Sequence, residues 1–197
     1  SEGTFSITCD NGELYEARTV IYTAGATPRK AGFAGEERFR GRGVSYCATC
    51  DGMFYRDKLV FVVGGGNSAC EEALFLTKFA RQVTMVVRRD VFRAPKGVAD
   101  KVLAHDKIDV RFNTRIIAVD GDQLLQSVTF EDTRTEEQHT ERYDEGSFGV
   151  FVFAGHEPQT ALVEGLVERG SGGGVITDEH MTTSTPGLFV AGDVREK

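Results

Sequence analysis

The chain has 197 residues, 40% hydrophobic and 27% charged, with 23 glycines, four prolines and no tryptophan. That length holds one large domain or two small ones with a real core, and the composition is that of a soluble globular protein rather than a low-complexity one. A formal charge of −7 argues against a general nucleic-acid or anionic-membrane surface, and no apolar run approaches the roughly 20 residues a membrane helix needs. The four cysteines, Cys9, Cys47, Cys50 and Cys70, are too few and too unevenly spaced for a secreted disulfide scaffold. A redox pair with two spectators, in the cytoplasm, is the expected arrangement. The opening Ser-Glu-Gly-Thr-Phe carries no methionine and no basic-then-apolar targeting pattern. It runs straight into a strand-like segment, so the chain is expected to begin partway through a larger protein.

Residues 1–30 read as β-hairpin material, with Phe5-Ser6-Ile7-Thr8, an Asn11-Gly12 turn signal, Leu14-Tyr15-Glu16-Ala17 and the apolar run Thr19-Val20-Ile21-Tyr22. A small-residue loop follows at 23–28, then a polar, glycine-bearing connector at 29–43. The clearest unit begins at Lys58. Leu59-Val60-Phe61-Val62-Val63 is an unbroken apolar run of the buried parallel-strand type. A helix is expected over 67–80, with Ala69, Ala73, Leu76 and Ala80 on one face and Glu71, Glu72 and Lys78 able to reach water. Residues 82–87 form the next strand, which completes a βαβ unit. A helix near 98–105 and a strand at 108–112 extend the alternation. The pattern then changes to an antiparallel excursion over 116–119, 124–131 and 140–143. Buried strands are expected again at 149–153, at 175–177 and around 187–190.

Two motifs carry chemistry. Cys47-Ala48-Thr49-Cys50, followed by Asp51, places two thiols where they can close and reopen a small ring; that spacing lowers the thiol pKa and speeds exchange. Zinc is the rival reading, but it needs two further ligands, and Cys9, Cys70 and the scattered His105, His139, His156 and His180 offer no second pair at short spacing. No metal site is expected. Asp51 can cap a helix that begins after the loop, or move a proton for the thiolate step. Cys9 and Cys70 read as inert packing, the histidines as surface or hinge residues. Just downstream, Gly64-Gly65-Gly66-Asn67-Ser68-Ala69 lies between strand and helix. Gly64 permits the tight turn, Gly66 lets backbone approach a pyrophosphate, and Ala69 allows close helix–sheet packing, while the helix N-terminus offers free N–H groups to phosphate. At the end of the second strand an NAD site usually carries an acid; here Arg88, Arg89 and Arg93 stand instead, and guanidinium groups suit a 2′-phosphate. Asp90 could pair with either neighbouring arginine. The two motifs together point to an NADPH-linked disulfide reductase.

The sequence resembles bacterial-type, low-molecular-weight thioredoxin reductase. The resemblance is carried by Thr23-Ala24-Gly25-Ala26 before Pro28, Gly35-Glu36-Glu37-Arg38-Phe39, the run from Gly41 through Cys50-Asp51-Gly52, and Gly64–Ala69. Glu71-Glu72-Ala73-Leu74, Arg88-Arg89-Asp90, Gly155-His156-x-Pro158 and Ala191-Gly192-Asp193-Val194 belong to it too. It implies an α/β fold: a Rossmann-like NADPH-binding domain (31–154), a parallel sheet with an antiparallel excursion, inserted in a truncated FAD-binding domain (1–30 and 155–197) of the pyridine nucleotide-disulfide reductase type. It further implies that Cys50 exchanges electrons with the flavin, that Cys47 attacks the disulfide of thioredoxin or a thioredoxin-like protein, and that Asp51 is the acid. Gly192 and Asp193 would serve the flavin, with Asp193 bonding its ribityl chain, and hinges would lie near Lys30 and Gly155. A homodimer is implied for the intact protein. Val87 stands where the family often has histidine. The flavin domain's own strand and glycine-rich turn are absent from these residues, so the chain alone is expected to bind nucleotide but neither to retain FAD nor to reduce disulfides. Two enzyme alternatives share this core: the flavoprotein part of an alkyl-hydroperoxide reductase, and a dithiol oxidase acting on a small molecule. A catalytically silent NADPH-binding module is the alternative of another class.

Overall fold

Unbroken apolar strands need cover on both faces, and the computed structural model, which describes residues 3–196, supplies it. In chain order come β1 (Phe5–Thr8), β2 (Leu14–Ala17), β3 (Val20–Tyr22) and β4 (Ala26–Pro28). A short β5 (Val44–Ser45) leads into α1 (Ala48–Asp51) and a tight 3-10 turn over Gly52–Tyr55. The alternating stretch is β6 (Leu59–Val63), α2 (Asn67–Leu76), β7 (Gln82–Val86), α3 (Lys96–Leu103) and β8 (Ile108–Arg111). Then follow β9 (Thr114–Gly121), β10 (Leu125–Asp132), β11 (Gln138–Arg142), β12 (Phe148–Val152), β13 (His156–Pro158) and β14 (Leu188–Val190). The chain divides into two compact units, Pro28–Gly155 and a second made from Ser1–Thr27 with His156–Lys197. Ser1, Glu2 and Lys197, the outermost residues of the expected segments 1–30 and 155–197, lie outside the described residues. Among the described residues no helix is long and apolar enough to cross a membrane.

In the continuous unit five parallel strands run in the order β5-β12-β6-β7-β8. Side chains alternate between the two faces of a strand. Val60 and Val62 of β6, Val83 and Met85 of β7 and Phe151 of β12 therefore meet Ala69, Cys70, Ala73 and Leu76 of α2 in one core. Phe61, Val86, Val150 and Val152 share a second core with Ile116, Val119, Leu125, Val128 and Phe130 of the antiparallel sheet β11-β10-β9. Each large side chain so buried contributes roughly 1.5–3 kcal/mol. The antiparallel excursion is thus the cover for the sheet's second face.

Helix α2 ends at Leu76, short of the expected Ala80. Its last turn tightens, with the N–H groups of Phe79 and Ala80 both donating to the Leu76 carbonyl (3.0 and 2.9 Å). Lys107 Nζ then donates to the carbonyls of Thr77 (3.1 Å) and Ala80 (3.4 Å), placing a cation where the helix dipole favours one. The segment expected as a polar connector, 29–43, is in fact pinned into the core. Phe33 and Phe39 belong to the second cluster, and Glu36, only 3% exposed, accepts from the N–H groups of Ala31 and Gly32 and from the Tyr46 hydroxyl. The two ends of the unit are tied by the Arg29 N–H, which donates to the Gly155 carbonyl at 2.9 Å.

The discontinuous unit pairs β3 with β14 in parallel, Val20 opposite Leu188, over a core of Val163, Val175, Leu188, Val190 and Val194. Strands β1 and β2 form the expected hairpin, with Gly12 at φ 85 in its turn. The strand expected at 175–177 is reduced to single bridges of Val175 with Arg169 and Arg195. The adjoining glycines bond instead to a side chain: the Glu196 carboxylate accepts from the N–H groups of Gly172 (2.9 Å) and Gly174 (3.0 Å). Cys9, expected to be packed, is exposed.

Candidate functional site

The glycine turn does three different things at three positions. Gly64 has φ 142, and a Cβ there would sit 2.5 Å from the Phe153 carbonyl oxygen and 2.9 Å from Ala69 Cβ. No other residue fits the corner where strand becomes helix. A Cβ on Gly65 would meet Val87 Cγ1 at 2.7 Å, so this glycine lets the turn lie against the end of β7. Gly66 has open space where its Cβ would be, and it is the N-cap of α2 with no side-chain cap hydrogen bond. The first N–H groups of a ten-residue helix therefore face an uncrowded surface, an arrangement that suits phosphate.

The arginine loop is fastened to this turn. The Arg93 N–H donates to the Gly65 carbonyl at 2.7 Å, and Phe92 packs edge-on to Phe112 with ring centroids 5.1 Å apart. On its far side the loop is held by the Asn113 N–H, which donates to the Arg89 carbonyl (3.0 Å), and by the Thr133 hydroxyl, which donates to that of Arg88 (3.0 Å). The side chains of Arg88, Arg89 and Arg93 are exposed, and among the described residues none makes an ion pair; Asp90 does not neutralise them. Backbone is anchored and guanidinium groups are left available, which fits a phosphate-bearing nucleotide.

Cys47 and Cys50 are joined in a disulfide, with Cα atoms 5.3 Å apart. The pair forms the start of a single helical turn that pattern reading did not anticipate. Cys47 is its N-cap, and its sulfur accepts from the Cys50 N–H at 3.2 Å. Cys47 is half-buried and Cys50 exposed. The turn rests on α2: Ala48 belongs to the α2 core cluster, and a Cβ on Gly52 would meet Leu76 Cδ2 at 3.1 Å. Dithiol and glycine turn are therefore built on one helix. Asp51 closes α1 and makes no cap hydrogen bond to the 3-10 turn that follows. Its carboxylate accepts instead from the Ser45 hydroxyl at 2.6 Å, and that hydroxyl accepts from the Cys47 N–H at 3.1 Å. Ser45 was not a candidate from sequence; only its position at the end of β5, facing back toward the turn, reveals it.

Two tyrosines and a cysteine of this unit have their neutral forms favoured. Burial, with the Asp51 carboxylate as a lesser cause, pushes the Tyr55 hydroxyl up to about 12. Burial and the hydrogen bond to Glu36 raise that of Tyr46. Burial, then the charge of Glu71, pushes the Cys70 thiol up to about 11, which disfavours the reactive thiolate. Among the described residues no group of histidine, cysteine and carboxylate side chains is arranged to hold a metal.

Gly192 and Asp193 lie in the other unit, just past β14, with Gly192 at φ 83. Asp193 lines a cleft of about 330 Å³ with Ala26, His156, Pro158, Gly172, Arg195 and Glu196. Arg195 is braced there by Nε donating to Thr177 Oγ1 at 2.6 Å.

The chain is similar to thioredoxin reductases in both sequence and fold. A thioredoxin reductase of Peptoclostridium litorale is 46% identical over 185 residues, covering 93% of this chain and 59% of that protein. One from Treponema pallidum (strain Nichols) is 45% identical over 196 residues, covering 100% of this chain and 62% of the relative. The crystal structure of Lactococcus lactis thioredoxin reductase in its FR conformation superposes with a TM-score of 0.86 at 36% identity, covering 100% of this chain and 64% of that one. The chain thus spans about three-fifths of the length of the relatives it matches. The sequence profile of the pyridine nucleotide-disulphide oxidoreductases matches residues 1–197, and the chain belongs to that family.

Proposed function

We propose that the chain carries the NADPH site and the redox dithiol of a thioredoxin-disulfide reductase that uses FAD. The observation that carries the reading is a Cys47–Cys50 disulfide resting on the same helix whose uncapped N-terminus adjoins an arginine loop. On this reading Pro28–Gly155 is the NADPH-binding domain and the discontinuous unit is part of a flavin domain. The turn from Gly64 through Gly65, Gly66, Asn67 and Ser68 to Ala69 would hold the pyrophosphate, and Arg88, Arg89 and Arg93 the 2′-phosphate. The carboxylate of Asp193, beside Gly192, would accept hydroxyl donors of the flavin's ribityl chain. When bound, FAD would take two electrons as hydride and pass them to a disulfide. Cys50 would be the sulfur facing the flavin. Once reduced, Cys47 would attack the thioredoxin disulfide as thiolate, forming a mixed disulfide. Cys50 would then displace thioredoxin from Cys47, releasing it as a dithiol and restoring the Cys47–Cys50 bond. Asp51 would hold the proton that a departing sulfur takes up. The protein would act in the cytoplasm, as a homodimer.

The test is NADPH-dependent reduction of thioredoxin by the full gene product supplied with FAD. Cys50→Ser should block flow from flavin to the dithiol; Cys47→Ser should spare that contact and stop turnover. Flavin reduction by NADPH without thioredoxin reduction, but with turnover of a peroxidase disulfide or a small disulfide, would remove thioredoxin as the substrate. No flavin reduction by NADPH would overturn the electron path itself.

A further inference from the structure

We propose that Ser45 is a positioning residue for disulfide exchange: its hydroxyl fixes the Asp51 carboxylate beside the Cys47–Cys50 turn. The proposal rests on the reading of Asp51 as the proton-carrying group. Ser45 is 3% exposed at the end of β5, an edge strand of the parallel sheet paired with β12. Its hydroxyl has one proton to donate, and the shorter contact, 2.6 Å to Asp51 Oδ2, claims it over the 3.3 Å approach to the Cys47 carbonyl. The same oxygen accepts from the Cys47 N–H at 3.1 Å. The result is a chain of hydrogen bonds from the Cys47 peptide through the serine to the carboxylate, each polarising the next.

The backbone restrains the same residue from the other side. The Asp51 N–H donates to the Cys47 carbonyl at 3.1 Å, so both ends of Asp51 are referred to Cys47. A free aspartate at the end of a four-residue helix would sample several rotamers, and one held by a buried hydroxyl is restricted to few. Removal of the hydroxyl should slow exchange through Asp51 while leaving the nucleotide turn unchanged.

The step can be followed on this chain without flavin, with dithiothreitol as electron donor. One dithiothreitol thiolate attacks a sulfur of the Cys47–Cys50 bond, which breaks; the departing sulfur takes up a proton through Asp51. The second dithiothreitol thiol then closes its own ring and releases the other protein thiol, so two electrons and two protons pass to the pair. Rates would be read by quenched-flow alkylation and mass spectrometry for the wild type, Ser45→Ala, Asp51→Asn and the double variant. Asp51→Asn should slow reduction by about tenfold or more, and Ser45→Ala by about three- to tenfold. In the Asp51→Asn background the serine substitution should matter by less than about twofold, because the two groups act as a unit. Ser45→Thr, which keeps the hydroxyl, should recover most of the rate, and NADPH affinity should be unchanged in Ser45→Ala. Slow Asp51→Asn with normal Ser45→Ala, or two effects that simply multiply, would overturn the serine's role. A normal rate in Asp51→Asn would instead remove the proton function of Asp51, and the proposal with it.

Discussion

Gly64→Ala and Gly66→Ala should separate folding from binding within one turn. At Gly64 a methyl group must enter at φ 142 and displace the Phe153 carbonyl, 2.5 Å away, and Ala69, 2.9 Å away. Backbone in that region is strained by about 1–3 kcal/mol for a non-glycine residue, and the two close contacts add to it. A loss of about 3 kcal/mol or more is expected, enough to lower the urea midpoint by about 1–3 M. At Gly66, with φ −88 and ψ 178, any residue is accommodated and nothing lies within 4 Å of the new methyl. Reduced freedom of the unfolded chain gains about 0.4–1 kcal/mol, and alanine is a poorer N-cap than glycine by a similar amount, so stability should stay within about 0.5 kcal/mol of wild type. That open space is where a turn of this type receives a pyrophosphate. Loss of one or two charge-assisted hydrogen bonds, about 1.5–3 kcal/mol each, should weaken NADPH binding about 10-fold to 100-fold or more. Urea titration and calorimetry on both variants decide the matter. Wild-type NADPH affinity in Gly66→Ala would refute the phosphate role of the turn, and wild-type stability in Gly64→Ala would refute the packing argument.

The loop of Arg88, Arg89 and Arg93 should make NADPH bind at least about tenfold more tightly than NADH, a difference of about 1.4 kcal/mol; in Arg88→Ala calorimetry should show that advantage shrinking with NADH binding hardly altered. In the oxidised chain a maleimide should label exposed Cys9 quickly; after reduction Cys47 and Cys50 should react as a pair, and buried Cys70 should lag. A Cys9–Cys70 bridge or stoichiometric zinc would contradict the dithiol assignment. Because burial raises the Cys70 thiol to about 11 from an ordinary 9.0, the unfolded chain gives up this proton first. Stability should therefore fall as pH rises through that window, and Cys70→Ala should flatten the fall in urea titrations at pH 9 and 11.

Much of the inner unit was legible because its strands are buried on both faces. Leu59–Val63 has no polar interruption that a surface strand would need, the run after Gln82 has only Thr84, itself buried, and the glycine turn falls where strand must become helix. The connector was misjudged for a related reason: Phe33 and Phe39 are isolated apolar residues in polar sequence, with no periodicity to show that they reach the second core. The turn at Ala48–Asp51 is too short to register as a pattern and is fixed by Ala48 packing on α2. Cys9 misled because a strand-end cysteine usually packs, whereas β1 here is largely exposed. Within the site, residue types gave the thiols, the acid and the arginines. The Ser45–Asp51 and Gly65–Arg93 hydrogen bonds, which hold those groups in place, depend on three-dimensional proximity that spacing does not encode.

The hydrogen bond from Arg29 to Gly155 bears on the order in which the polypeptide matures. Strand β3 is made before its partner β14, with the whole of Pro28–Gly155 between them. Were that intervening stretch unstructured, closing the loop of about 165 residues between Tyr22 and Leu188 would oppose the β3–β14 pairing by about 4.5 kcal/mol. Folding of the inner unit brings Arg29 and Gly155 together beforehand and shortens the effective loop to about 38 residues, 23–28 and 156–187, lowering that cost by about 1.3 kcal/mol. Pairing of Val20 with Leu188 is thus favoured by the prior folding of a stretch that contributes to neither strand. During synthesis β3 waits with its edge open and Ile21, 72% exposed even in the folded unit, available to other chains. Substitutions that weaken the inner unit, such as those in its glycine turn, should for this reason also slow the pairing of β3 with β14.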